Sequence, residues 1–178
     1  MPEEIEVPTE KLHEAIQEVA EKTEEKWVFL VALSTAILAV FAALCSLMAG
    51  HHANEALIEQ IQASDQWAYY QAKGIKAAVL ESKIETLQAL SKQTSEKDKE
   101  TVKIYKKEQK EIEEQAKEKE RSSSIHLTAH NLLAKAVTVF QIAIAVSAIS
   151  VLTRRKWLWY GSGVLGLIGF IFLLQELL

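Results

Sequence analysis

The feature that most constrains the fold is an uninterrupted apolar stretch near the start of the chain. Residues 27–48 read WVFLVALSTAILAVFAALCSLM and contain no charged side chain. As an α-helix rising 1.5 Å per residue, the stretch is about 33 Å long, which is enough to cross the hydrocarbon core of a bilayer. We therefore expect a transmembrane helix over residues 27–49.

A cleaved signal peptide is the main alternative for this stretch, and the sequence argues against it. Signal peptides have a basic segment followed by an apolar region of about 7–15 residues. Here the apolar run is longer, and the preceding residues 1–26 form an acidic arm. This arm is predicted to hold a short amphipathic helix with Leu12, Ile16 and Val19 on one face. It is either a pairing helix or a solvated arm.

Small residues on one face of the first span predict a close contact with another helix. They recur at alternating four- and three-residue steps, which places them all on one side of an α-helix. Small side chains allow the backbone of a second helix to approach closely. We call this face the packing seam, and its partner lies either in the same chain or in another copy. Its residues are Ala32, Ala36, Ala39, Ala43, Ser46 and Gly50.

Residues 50–131 form a charged block rich in strong helix formers, without proline and with one internal glycine, Gly74. The helical pattern breaks at residues 91–95, SKQTS, so we expect a long antiparallel helical hairpin with its turn there. On the first arm, one set of apolar residues lies close to a single helix face. This set is Leu57, Ile61, Ala68, Ala72, Ile75 and Val79.

Two further apolar runs predict transmembrane helices over residues 132–152 and 157–174. The second span has a small-residue face formed by Ala134, Thr138, Ala145 and Ala148, together with Gln141, the one strongly polar side chain deep in a span. Gln141 is interpreted as an interhelical hydrogen-bonding residue, or alternatively as a pore-lining one. The third span has a small face at Ser162, Gly166 and Gly169. The expected fold is an all-α membrane protein with three spans and a hairpin between the first two.

Three cations in the short loop between the last two spans predict the orientation. Arg154, Arg155 and Lys156 are expected on the cytoplasmic side, where such residues are retained. The N-terminus is then cytoplasmic, and the hairpin and C-terminus are periplasmic in a bacterial inner membrane. The net charge of −4 does not suggest nucleic acid as a partner.

The histidines are the only candidates for a metal site. His126 and His130 are spaced as i and i+4 on a helix, and antiparallel folding brings them toward His51 and His52. Helical histidines at this spacing can bind zinc or copper, and a cluster could also respond to pH. The simpler interpretation is that these histidines lie at a wet interface and bind nothing, so neither a metal nor a cofactor is predicted. No phosphate-binding loop, dinucleotide-binding turn or nucleophile elbow occurs, and the chain is not expected to be an enzyme.

The most distinctive segment lies on the first arm of the predicted hairpin. Residues 64–76, SDQWAYYQAKGIK, resemble the signature of a bacterial membrane family catalogued as domain of unknown function 4337. The resemblance implies an inner-membrane protein with one N-terminal span, a helical insert and two C-terminal spans. It implies no activity, substrate or cofactor.

The same segment is predicted to be a contact site of the hairpin. Its aromatic rings are favoured anchors at protein interfaces. The contact is either with another protein or copy, or with the second arm of the same hairpin. The residues assigned to this site are Asp65, Trp67, Tyr70, Gln71, Lys73 and Lys76.

Three functional hypotheses follow from these features. The first is a non-enzymatic scaffold in the lipid bilayer that forms homo-oligomers through its small-residue faces and its protruding hairpin, which could also receive another protein partner. The second is an oligomeric channel or passive permeation subunit lined by Gln141 and Thr138. The third is a metal or pH sensor at the membrane surface that uses the four histidines.

Overall fold

A computed structural model describes residues 26–177, together with Glu14 and Glu18. Residues 26–177 form three α-helices: α1 (Lys26–Ala89), α2 (Glu96–Thr153) and α3 (Lys156–Leu177). No strand occurs in these described ranges, so the prediction of an all-helical chain is confirmed there. The acidic arm predicted for residues 1–26 lies almost entirely outside the described residues. Each of the three helices is long and apolar enough to cross a membrane.

The chain divides into two compact units, which are described separately. The first, which we call the bundle, comprises residues 26–53 and 128–177 of the described part of the chain. The second, which we call the hairpin, is formed by residues 54–127. The predicted break at residues 91–95 corresponds to a non-helical segment over residues 90–95, where Ser91 has a φ of 55°.

The core of the bundle combines small residues of α1 with larger ones of α2. Phe140 is 1% exposed and is the largest of the fully buried side chains. Because burial of an aromatic ring removes much apolar surface from contact with solvent, this ring is the central packing element. The remaining members of the core cluster are Ala42, Cys45, Ala49, Leu133, Ala136 and Leu173.

Two glycines of α3 permit its close approach to the other two helices. A Cβ atom placed on Gly169 would lie 2.8 Å, 2.9 Å and 3.1 Å from three ring carbons of Phe140. A Cβ atom on Gly166 would lie 2.8 Å from Cδ2 of Leu38. A larger residue at Gly169 would have to displace the buried Phe140 ring, whereas one at Gly166 would have to displace only the flexible end of the Leu38 side chain.

Hydrogen bonds also join α3 to its neighbours in the bundle. The hydroxyls of Ser147 and Ser162 are 2.6 Å apart and both residues are buried. Trp159 Nε1 donates to the Ser34 hydroxyl at 3.1 Å. Inside an apolar bundle, such bonds satisfy polar groups that hydrocarbon could not.

We predict that Gly169→Ala destabilises the bundle and Gly163→Ala does not. The added methyl at 169 meets a buried aromatic ring, and overpacking of this kind costs about 1–3 kcal/mol. At Gly163 a Cβ atom meets nothing within 4 Å, so the substitution tests only helix propensity. The free energy of unfolding of each purified full-length variant is measured by SDS titration. Equal stability of the two variants would contradict the packing role of Gly169.

Candidate interaction surfaces

The arms of the hairpin pack through small residues. On the first arm, the buried residues Ala56, Ala63 and Ala77 are separated by seven and fourteen residues, which is the heptad spacing of helices that wind around each other. They lie on the face toward the second arm, where Ile112 and Ala116 are buried. The short alanine side chains allow the two helix backbones to lie close together. This alanine series is visible in the sequence, but the larger apolar residues on another face obscure it.

Lys73 connects the arms electrostatically. Its ammonium donates to Glu108 Oε2 at 2.6 Å, and it lies 4.9 Å from the ring centroid of Tyr105 and 5.4 Å from that of Tyr69. The side chain is only 12% exposed. The hydrogen bond to Glu108 raises the pKa of Lys73 above its usual value. Because the pKa of Lys73 is raised in the folded state, the contribution of this residue to the stability of the fold is complete below the unfolded pKa of lysine. That contribution is lost as the pH rises through the folded pKa.

Trp67 and Tyr70 also contact the second arm. Trp67 Nε1 donates to Glu120 Oε1 at 2.8 Å, and its ring meets the Tyr70 ring edge-on with centroids 5.5 Å apart. Gln109 Nε2 donates to the backbone carbonyl of Tyr70 at 3.2 Å. This amide occupies the space beside Gly74, where a Cβ atom would lie 2.6 Å from Gln109 Nε2. Gly74 thus makes room for the Gln109 amide of the second arm.

The predicted contact site therefore divides into two faces. Trp67, Tyr70 and Lys73 belong to the interface between the two arms. The other predicted members, Asp65, Gln71 and Lys76, are exposed. Packing within one hairpin accounts for the first group only.

The larger apolar residues of the first arm are exposed. Leu57 is 58% exposed, Ile61 54%, Ile75 65% and Val79 63%. Ala68 and Ala72, between them on the same face, are exposed as well. At 100° per residue these six side chains lie on the side of the helix opposite the buried alanines. We call this set the outer stripe.

The surface around the outer stripe is nearly free of net charge. Glu59 pairs with Lys119 at 3.0 Å, and Lys73 pairs with Glu108, so both are directed toward the second arm. Asp65 and Lys76 are the exposed charged residues between positions 57 and 79, and they have opposite signs. A neutral surface with large exposed apolar side chains is typical of a protein contact site.

In the bundle, the packed face of α1 is centred one residue before the predicted packing seam. Val28 and Val31 pack near Val151 and Trp159, and this contact sets the rotation of the helix. The buried line then continues through Thr35, Ala42, Cys45 and Ala49. The predicted seam lies at the margin of that line: Ala43 is exposed, and the partly buried members are Ala32, Ala36, Ala39, Ser46 and Gly50. A contact of this seam with another copy remains a prediction.

The other predicted small faces differ in their placement. Ser162, Gly166 and Gly169 of α3 are all buried within the bundle. On α2, Thr138 is exposed and Gln141 is partly buried. The loop between these helices is short, with Arg154 at a φ of 53° and Lys156 Nζ 5.6 Å from the ring centroid of Trp27.

The histidines do not form a recognisable metal centre. In the bundle, the rings of His51 and His52 have centroids 5.6 Å apart, and His52 Nε2 lies 3.5 Å from Glu176 Oε1. His130 Nδ1 lies 2.9 Å from the carbonyl oxygen of Ala49. His126 belongs to the hairpin and is partly buried. Across residues 26–177 with Glu14 and Glu18, no group of three or more His, Cys, Asp or Glu side chains could hold a metal ion.

The bundle also contains an apolar cleft of about 260 Å³. Its lining includes Phe41, Phe140 and Phe170, with Ser34 and Ser162 among its few polar residues. Both hydroxyls are engaged in hydrogen bonds within the bundle. The cleft therefore offers shape and apolar surface, and its chemistry does not specify a ligand.

We predict that Lys73→Met loosens the hairpin locally. Loss of the ammonium leaves Glu108 without its partner and removes the contact with the Tyr105 ring, so backbone amides of both arms near this pair should exchange several-fold faster with deuterium. Lys107→Met is the matched control, because Lys107 is 82% exposed and has only a 3.7 Å pair with Glu111 on its own helix. Mass spectrometry of exchange in the full chain distinguishes the variants. Equal exchange in both would refute a special role for Lys73.

Comparison with known proteins gives one positive result. No match was found among curated proteins or among solved structures. A family model described as "Domain of unknown function (DUF4337)" matches residues 27–178, a range that includes both the bundle and the hairpin. This confirms the resemblance seen in residues 64–76. The chain belongs to the domain of unknown function 4337 family.

Proposed function

We propose that this protein is a membrane-embedded scaffold that assembles from copies of itself and has no enzymatic activity. Its three apolar helices cross the bilayer of a bacterial inner membrane. Its N-terminus and Arg154–Lys156 are cytoplasmic, and its hairpin and C-terminus are periplasmic. Assembly places several hairpins side by side, where they form a shared surface for self-contact or for a further protein.

The observation that carries this proposal is the outer stripe of the hairpin. The outer stripe belongs to the hairpin, whose many charged residues of both signs suit it to contact with water. Exposure of Leu57, Ile61, Ile75 and Val79 is therefore unfavourable unless something covers them. Covering these four side chains contributes about 1 kcal/mol each, before the cost of association is subtracted. The length of the stripe, 22 residue steps from 57 to 79, is about 33 Å in a helix.

A second copy is a suitable occupant of this surface. A symmetric contact requires a surface that complements itself. The stripe has large side chains toward both ends and alanines at 68 and 72 in the middle, so two such helices can approach closely at their centres. Its exposed charges, Asp65 and Lys76, have opposite signs and add no net repulsion between copies.

The test of this proposal introduces charge into the outer stripe on either side of its central alanines. We expect the double variant Ile61→Lys, Ile75→Lys to weaken oligomerisation of the full chain by at least tenfold, because each copy would bring two desolvated cations into the contact. The subunit number is measured by mass photometry in lipid nanodiscs or by light scattering in mild detergent.

A matched control uses the same substitution on another exposed surface of the hairpin. Ile104 on the second arm is 49% exposed, close to the 54% of Ile61, and lies outside the stripe. Ile104→Lys should leave the oligomer unchanged. A wild-type chain that is monomeric in both lipid and mild detergent would refute the scaffold proposal itself.

A further inference from the structure

Gln141 is a polar residue of the bundle for which the bundle itself provides no hydrogen-bond partner. It lies near the middle of the apolar run 132–152 and is partly buried. It forms no hydrogen bond with any residue of the described part of the chain. Nearby hydroxyls differ in this respect: Ser147 bonds to Ser162, and Thr138 donates to the Ala134 carbonyl at 2.9 Å.

An unsatisfied amide at this depth is energetically costly. The glutamine side chain carries two N–H donors and a carbonyl acceptor, and hydrocarbon satisfies none of them. Serine and threonine can bond to the carbonyl groups of their own helix, as Thr138 does. Because the bundle provides no partner for the Gln141 amide, its partner must come from outside the bundle.

The helix surface around Gln141 is shaped for close approach. Ala134 and Ala145 lie within 40° of Gln141 around the helix axis at 100° per residue, and both are partly buried. Thr138, one turn before Gln141, is exposed and its hydroxyl is already bonded. Val137, on the other side of Gln141, packs against the core of the bundle. A second helix that approaches from the side of Ala145 and Thr138 can therefore reach the Gln141 amide without displacing a large side chain.

We infer that the Gln141 side chains of two copies hydrogen-bond to each other across a two-fold axis within the bilayer. This inference rests on the proposed self-assembly, and it identifies Gln141 as the contact between the copies within the membrane. An amide is both donor and acceptor, so two identical amides satisfy each other reciprocally. Copies inserted in one membrane share one orientation, so a two-fold axis along the membrane normal brings Gln141 of each copy to the same depth.

Disulfide trapping in liposomes tests this contact directly. In a Cys45→Ala background, which removes the single native cysteine, Ala145→Cys places a thiol one turn from Gln141 on the same face. Val146→Cys is the matched control. Val146 is also partly buried and lies at nearly the same depth, but it points about 100° away from Ala145 around the helix axis. We expect oxidation to give disulfide-linked dimers for Ala145→Cys and little dimer for Val146→Cys.

Substitution of the amide provides the second part of the experiment. Gln141→Leu keeps the size of the side chain and should weaken self-association, measured by energy transfer between labelled copies as lipid dilutes them, by about tenfold for two lost bonds. Gln141→Asn retains the amide and should preserve most of the association. SDS titration of Gln141→Leu checks that the monomer still folds, and its stability should equal or exceed that of the wild type.

The outcomes separate this inference from the scaffold proposal. If the wild type oligomerises but Gln141→Leu associates equally well, or if Val146→Cys links as efficiently as Ala145→Cys, the Gln141 contact is refuted and the scaffold proposal stands. If the wild type does not associate at all, both are refuted. Loss of association in Gln141→Leu with retention in Gln141→Asn supports the contact.

Discussion

Close approach of helix backbones is the constraint on which both units of this protein depend. In the bundle it occurs at Gly166 and Gly169, where a single added methyl group would collide with Leu38 or Phe140. In the hairpin it occurs along Ala56, Ala63 and Ala77, which are buried against the second arm. Small residues contribute to the contacts in both cases, and many larger apolar residues are exposed on the outer faces, although Phe140 and Leu133 are buried in the bundle.

The same arrangement has different consequences in the two surroundings. Lipid chains solvate large apolar side chains readily, so exposed leucines and isoleucines on a membrane-spanning helix need no protein partner. Water does not solvate them, and the hairpin has the composition of a water-facing segment. The outer stripe is therefore the part of the molecule whose exposure most needs an explanation. Under the proposed placement of the bundle in a bilayer the reasoning is reversed, since a polar group such as Gln141 then needs a partner.

The sequence predicts the number and type of helices because long runs of strong helix formers and apolar residues leave few alternatives. It predicts less well which helix face is buried. On the first arm, Leu57, Ile61, Ile75 and Val79 dominate the apolar pattern, whereas the buried positions are alanines with a weaker apolar signal. On the first span, the true packed face differs from the predicted seam by one residue, because Val28 and Val31 fix the helix rotation. The contact between Lys73 and Glu108 depends on the register of the two arms, which the predicted turn at residues 91–95 does not by itself determine.

The turn between α2 and α3 shows how folding and membrane insertion act on the same residue. Arg154 adopts a left-handed conformation, φ 53°, that costs a residue with a side chain about 1–2 kcal/mol. Glycine would close this turn without that cost. Arginine instead retains a positive charge beside Arg155 and Lys156, and charge of this kind keeps a short loop in the cytoplasm. Under the proposed topology, the chain thus accepts backbone strain in the finished bundle at a position that directs its insertion.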